Sequence, residues 1–289
     1  MSQNNNHSHN QSWTEVIRPE SSLLDLQLNQ VWKYRDLLFL LVKRDFVATY
    51  KQTILGPLWF FIQPVLTTIM FVIFFGRIAK LSTDGVPMIV FYLSGVVMWN
   101  YFSECLSKTG TVFKDNATLF GKVYFPRLIM PLSIVISNLV RFGVQFSLFL
   151  AIWLYYWLQP QSSIKPNTYI VLLPVLVVVM AALSLGFGLI VSAMTNKYKD
   201  LIFLLTFIIQ LAMYATPVIY PLSSVGEDYK IFMLMNPMTA VIETFRYSFL
   251  GSGTFQSIWL GYSFGFSIVI LFLGVLVFNK VEKTFMDTV

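Results

Sequence analysis

The chain has 289 residues, of which 56% are hydrophobic and only 12% charged, with a formal net charge of +6. Soluble domains carry about a quarter charged residues, so this composition excludes an ordinary soluble enzyme, and the modest positive balance reads as membrane topology rather than nucleic-acid binding. The single cysteine, Cys105, excludes an internal disulfide and reads as a small packing residue.

Residues Met1–Gln11 are Asn, Ser, Gln and His with no apolar core behind a basic start, so no signal peptide is expected. His7 and His9 are the only histidines, too few to build a tetrahedral site, and no metal is expected. Residues 1–30 read as a polar, disordered cytoplasmic tail. Val31–Gln52 predicts a helix with Asn29 as its N-cap, and Gly56-Pro57 stops it. Its charges Arg35, Asp36, Lys43, Arg44 and Lys51 fall within about half a turn, interrupted by Phe39 and Asp45. Residues 31–56 therefore read as a helix in the cytoplasmic interface, serving as an anchor or as a docking surface for a cytoplasmic partner.

Six apolar stretches follow: Leu58–Gly76, Met88–Leu106, Leu128–Leu158, Thr168–Met194, Leu201–Tyr220 and Ser257–Phe278. A bilayer core ~30 Å thick takes about 20 helical residues to cross, and each stretch is near that length or beyond it. The third would span about 46 Å as helix, so it must tilt or project into the cytoplasm. The fold class is an all-α integral membrane protein, with six transmembrane helices in residues 57–289. Fourteen Lys and Arg fall on the side of the two termini and five on the other, which places both termini in the cytoplasm.

Residues 217–256, between the fifth and sixth stretches, are only half polar. Ile231–Met235 and Val241–Leu250 are too short to span, and Pro221, Asn236-Pro237 and Gly251 punctuate them. Re-entrant helices at the outer mouth of a pathway are expected, the alternative being a hairpin resting on the membrane. Glu243 and Arg246 lie three apart and share a helix face, so they are candidates to pair there and to tolerate a charge swap.

Arg141 is the most intrusive charge, ~20 Å along its helix from Leu128. Two readings fit it: an ion pair between helices, with Glu104 as partner, or a contact to a phosphate or acidic sugar. Aromatic residues reach 17%. Trp153, Tyr155, Tyr156 and Trp157 match an interfacial belt. Trp59, Phe60, Trp99, Tyr101 and Tyr214 fall deeper, where they suit the apolar faces of sugar rings or ordinary helix packing. The spacings Gly261-x-x-x-Gly265 and Ser133-x-x-x-Ser137 would let helices approach closely. No histidine lies near the membrane and no G-x-x-x-x-G-K-[ST] loop occurs, which argues against an embedded enzyme and against ATP hydrolysis by this chain.

Several runs, taken together and in order, resemble one family. They are Arg44-Asp-Phe, then Tyr50-Lys-Gln-Thr-Ile-Leu-Gly-Pro-Leu-Trp59 through Gln63-Pro64; Asn116-Ala and Lys122-Val-Tyr-Phe-Pro-Arg127 with Pro131; Lys197-Tyr-Lys-Asp-Leu201; Thr216-Pro217-Val-Ile-Tyr-Pro221; and Asn236-Pro237 with Glu243 and Arg246. From Leu37 onward the chain resembles the membrane subunits of type-2 ABC exporters, and among them polysaccharide permeases for O-antigen, capsule or teichoic acid. The run from Lys122 to Arg127 looks more like the O-antigen exporters, while Tyr198-Lys199 and Lys51-Gln52 depart from the family pattern.

The resemblance implies a homodimer of six-helix subunits in the inner membrane, bound to two separate ATPase subunits that hold ATP and Mg, with no cofactor in this chain. It implies a lipid-linked glycan as substrate. Lys43, Arg44, Lys114, Asp115, Asn116 and Lys122 would match the surface that couples to the ATPase. Trp59, Phe60, Trp99, Tyr101, Arg141 and Tyr214 are the candidates for the substrate path. Pro217, Pro221, Asn236, Pro237, Glu243 and Arg246 would match the outer gate. The rival readings are a drug or lipid exporter of the same superfamily, and an autonomous channel or secondary transporter, which would want a carboxylate-rich core.

Overall fold

The computed structural model describes residues 32–51, 53–120, 125–198 and 200–285, and these form helices joined by turns, with no strand among them. The first helix, α1 (Arg35–Tyr50), keeps Arg35, Asp36, Lys43 and Arg44 exposed, half-buries Asp45, and buries Leu41, packing against the long helix α6 (Ile129–Trp157). The expected cap Asn29 and the expected helix end Gln52 lie outside the described residues.

Gly56 then takes φ +52°, a conformation that costs glycine little, and Pro57 opens a short 3-10 turn into α2 (Trp59–Phe71). Helix α2 continues as a π-turn over Val72–Ile78. Helix α3 (Met88–Gly110) is the centre of the bundle, with 16 of its 23 residues buried. Two short helices, α4 (Val112–Asp115) and α5 (Ala117–Phe120), lead on toward α6. Helix α6 runs unbroken for 29 residues, about 44 Å, so the over-long third stretch is one continuous helix.

Helix α7 (Leu173–Lys197) packs against α3 on one side and α11 (Ser257–Phe285) on the other. The α7–α11 contact is backbone to backbone. A Cβ on Gly274 would lie 2.5 Å from the Gly186 carbonyl oxygen, so both positions need glycine. The Gly261/Gly265 pair has nothing within 4 Å, so it makes no close helix approach within the subunit. Ser133 and Ser137 are buried and donate to the carbonyls of Met130 and Ile134 at 2.8 and 3.1 Å.

Among the described residues five helices are long and apolar enough to cross a membrane: Gly56–Ile78, Met88–Gly110, Ile129–Trp157, Thr168–Thr195 and Ser257–Val281. The remaining apolar stretch folds as α8 (Leu201–Tyr214), 14 residues or about 21 Å, followed by turns where one helix to Tyr220 was expected. Pro217 and Pro221 account for the break, because proline removes a backbone donor and clashes with the preceding turn.

The segment after α8 forms two helices that meet at Asn236-Pro237, α9 (Glu227–Met235) and α10 (Pro237–Leu250). The Asn236 side chain caps α10 by accepting from Met238 N at 3.0 Å. The two helices differ sharply: α9 has no buried residue, whereas 12 of the 14 residues of α10 are buried. Four carbonyls end every helix without an internal partner, and α10 has all four satisfied. Trp153 Nε1 donates to Phe249 O at 2.8 Å, and Asn167 Nδ2 donates to Tyr247 O at 2.9 Å. The backbone amides of Asn167 and Lys165 reach Ser248 O and Leu250 O at 3.0 and 3.1 Å. The connection between α6 and α7 thus clasps the end of α10.

Candidate functional site

Glu243 and Arg246 stand on the buried face of α10. Both are almost wholly enclosed, at 1% and 0% exposure, and Arg246 Nη1 lies 3.7 Å from Glu243 Oε1. The pair expected from their spacing forms, but it is the lesser part of what Arg246 does. Its guanidinium donates to Pro217 O at 2.5 Å, Val218 O at 2.6 Å and Tyr220 O at 3.3 Å, and it lies 3.8 Å from the centre of the Phe91 ring. Non-helical backbone at membrane depth is tolerated only where its polar groups find partners. Arg246 supplies those donors for the proline-broken turn after α8.

Gly95 makes room for this arrangement. A Cβ there would sit 2.7 Å from Val218 O and 2.9 Å from Arg246 Nη2. Glu243 Oε2 in turn accepts from Thr254 N at 3.0 Å. Burial pushes the Glu243 carboxyl above its ordinary value, and the Arg246 charge opposes that rise. Burial lowers Arg246 below its ordinary value, and the Glu243 carboxylate opposes that fall. Of the other expected gate residues, Asn236 donates to Ala215 O and Thr216 Oγ1 at 3.1 and 2.8 Å, and Pro217, Pro221 and Pro237 mark the turns around the clamp.

Four of the six expected path residues come together. Trp59, Phe60, Tyr101 and Arg141 line one cavity of about 150 Å³ between α2, α3 and α6. Arg141 Nη1 lies 3.8 Å from Glu104 Oε2, and its guanidinium lies 5.5 Å from the centre of the Phe60 ring. Glu104 also meets Lys108 at 3.0 Å. The interhelical ion pair for Arg141 is therefore present, and it borders open space. Four carboxamides in the same wall, Gln63, Asn100, Asn138 and Gln145, carried no motif that sequence reasoning could use.

The other two path candidates lie elsewhere. Trp99 is buried beside a separate, almost wholly apolar cavity of about 520 Å³ between α3, α7 and α8. Tyr214 is exposed at the end of α8 and lines neither cavity.

Of the expected coupling residues, Lys43 and Arg44 are exposed on α1, and Lys114 and Asp115 are exposed on α4. Thr111 Oγ1 donates to Asp115 Oδ2 at 2.6 Å, and Asn116 Nδ2 donates to Val112 O at 3.1 Å. Lys122 lies outside the described residues. Beneath this surface Val112 and Phe113 are buried, and Phe113 stacks on Phe278 of α11 with ring centres 4.7 Å apart.

Gly261-Tyr-Ser-Phe-Gly265 happens to spell the G-x-S-x-G of serine hydrolases. Ser263 is nonetheless wholly buried inside a helix, donating to Pro237 O at 2.9 Å, not displayed on a strand-to-helix turn. Among the described residues no cluster of His, Cys, Asp or Glu could hold a metal ion.

A family model described as "ABC-2 type transporter" matches residues 36–250. The O-antigen export system permease protein RfbA of Myxococcus xanthus is 28% identical over 223 residues, covering 76% of this chain and 82% of that protein. A protein of the same name from Klebsiella pneumoniae is 24% identical over 253 residues, covering 87% and 94%. The polysialic acid transport protein KpsM of Escherichia coli is 22% identical over 246 residues, covering 85% and 93%.

Proposed function

The chain belongs to the ABC-2 type transporter family, and from that premise we propose that it is the membrane permease of an ATP-driven exporter of lipid-linked polysaccharide, of the O-antigen kind. The observation that carries this reading is similarity to O-antigen export permeases over most of both chains. In this reading two copies form the pathway in the inner membrane, each crossing six times with α8 as the short fifth crossing. Both termini face the cytoplasm. ATP and Mg belong to two separate ATPase subunits.

The geometry supports distinct roles for the parts. The exposed surface of α1 and α4 docks the ATPase. Val112 and Phe113 root that surface in the bundle, so closure of the ATPase pair moves α11 through the Phe113–Phe278 stack. The path runs along the apolar faces that α2 and α8 leave exposed, which include Leu66, Ile69, Phe203 and Phe207. At the outer mouth α10 is a fixed post, because its charges are clamped and its end is clasped. The moving part is α9, free of buried residues and hinged at Asn236-Pro237.

Deletion of the gene in its host, with complementation, tests the reading. Loss of surface polysaccharide, its accumulation on the inner leaflet, and recovery with the intact gene are expected. Unchanged surface polysaccharide in the deletion strain would overturn the reading, and loss of drug or lipid efflux in its place would favour the rival within the superfamily.

A further inference from the structure

The small cavity around Arg141 is lined largely by polar side chains. Its lining carries one charge of each sign, Arg141 and Glu104, 3.8 Å apart, with Lys108 outside the lining meeting Glu104 at 3.0 Å, so an anion entering would have to compete with Glu104. What remains for a ligand is neutral. Gln63, Asn100, Asn138 and Gln145 each present one acceptor and a pair of donors. Asn100 and Gln145 share a long contact of 3.4 Å. Asn138 is 2% exposed, and its carboxamide, beside the Cys105 thiol, makes no hydrogen bond to a nitrogen or oxygen, although buried polar groups in folded proteins are bonded as a rule.

The floor of the cavity is buried and partly aromatic, formed by Phe60, Tyr101 and Phe142 beside Asn138. Its mouth is exposed, at Trp59, Gln63 and Glu104. A carboxylate exposed on a spanning helix does not face lipid tails, so this mouth opens toward an aqueous path. A volume of about 150 Å³ holds several waters and is on the scale of a single ring, not of a longer glycan.

We propose that this cavity binds one neutral, hydroxyl-bearing sugar ring of the passing glycan, with the carboxamides meeting its hydroxyls and Trp59 and Phe60 covering its apolar face. The proposal rests on the polysaccharide reading above. It goes beyond that reading by assigning recognition to the sugar and not to a phosphate, and to Asn138, Gln145, Gln63 and Asn100 as a set.

The test uses the full exporter, this chain with its ATPase, in lipid nanodiscs. The probe is the lipid-free oligosaccharide released by mild acid from the host's own surface polysaccharide, with binding read by saturation-transfer NMR. The Asn138→Leu and Gln145→Leu variants should each weaken binding at least tenfold, and Asn138→Gln should restore part of it. Inorganic pyrophosphate should not displace the oligosaccharide. Gln145→Leu keeps the test decisive if Asn138→Leu does not fold, since Gln145 is only half-buried.

Undiminished binding by folded variants, no binding by the unaltered exporter, or displacement by pyrophosphate each overturns the proposal. If the deletion strain lacks surface polysaccharide while the variants bind normally, only the sugar site fails. If that strain keeps its polysaccharide, the site and the export reading fall together.

Discussion

Replacing Arg246 by Met is the most informative single change, because it removes the charge and the donors while keeping an apolar stem in the same space. In the folded protein this guanidinium faces Pro217 O at 2.5 Å, Val218 O at 2.6 Å and Glu243 at 3.7 Å, with no exposed surface. Removing one member of a buried ion pair costs about 3–5 kcal/mol, and each buried carbonyl left without a donor adds about 1–3 kcal/mol. Whole domains are stable by only about 5–15 kcal/mol, so Arg246→Met should lower the unfolding temperature by at least about 10 °C or abolish folded yield. Glu243→Gln is milder, at about 1–3 kcal/mol, because Arg246 keeps its carbonyls and an oxygen remains for Thr254 N.

The charge swap Glu243→Arg with Arg246→Glu separates this account from simple pairing. A carboxylate at position 246 would point acceptors at the carbonyl oxygens of Pro217 and Val218. The swap should therefore fail to rescue, contrary to what the three-residue spacing alone suggests. Thermal unfolding of purified protein in nanodiscs, followed by size-exclusion chromatography, is the measurement. Recovery of the swapped protein to within about 2 °C of the unaltered chain, or a normally stable Arg246→Met, would refute the reasoning.

Other expectations follow from the same contacts. Gly95→Val should cost about 1–3 kcal/mol by overpacking against Val218 O and Arg246. By contrast Gly261→Ala, with nothing within 4 Å, should be neutral or stabilising by up to about 1 kcal/mol; paired melting curves decide. Asn167→Ala removes one of two donors to Tyr247 O, which keeps Gly251 N, and should lower stability by about 0.5–1.5 kcal/mol without changing membrane insertion. Asp115→Arg should reduce co-purification of the ATPase while the permease itself inserts normally; equal recovery of the complex would count against the coupling surface. The purified chain alone should release no phosphate from ATP, as no phosphate loop exists.

Much of this protein could be read from its one-dimensional pattern. The apolar lengths announced a membrane bundle, because a bilayer demands about 20 residues per crossing whatever the neighbours are. The unbroken 29-residue α6 and the two short helices meeting at Asn236-Pro237 follow from the same arithmetic and from proline. Glu243 and Arg246 could be paired because helix geometry places residues three apart on one face.

Only the packed structure decided what those residues touch. Arg246 holds backbone carbonyls some thirty positions earlier, and spacing carries no information about such a partner. The Gly186–Gly274 contact was missed and the open Gly261/Gly265 pair favoured, because a small residue marks a close approach only when another backbone lies opposite it. Trp99 and Tyr101 are two residues apart on one helix, yet one faces an apolar cavity and the other a polar one, since a helix turns about 200° between them. The set of Gln63, Asn100, Asn138 and Gln145 comes from three helices, so no window of sequence contains it. Local pattern determined which segments enter the membrane; which side chains meet there was settled by the rotation and packing of whole helices.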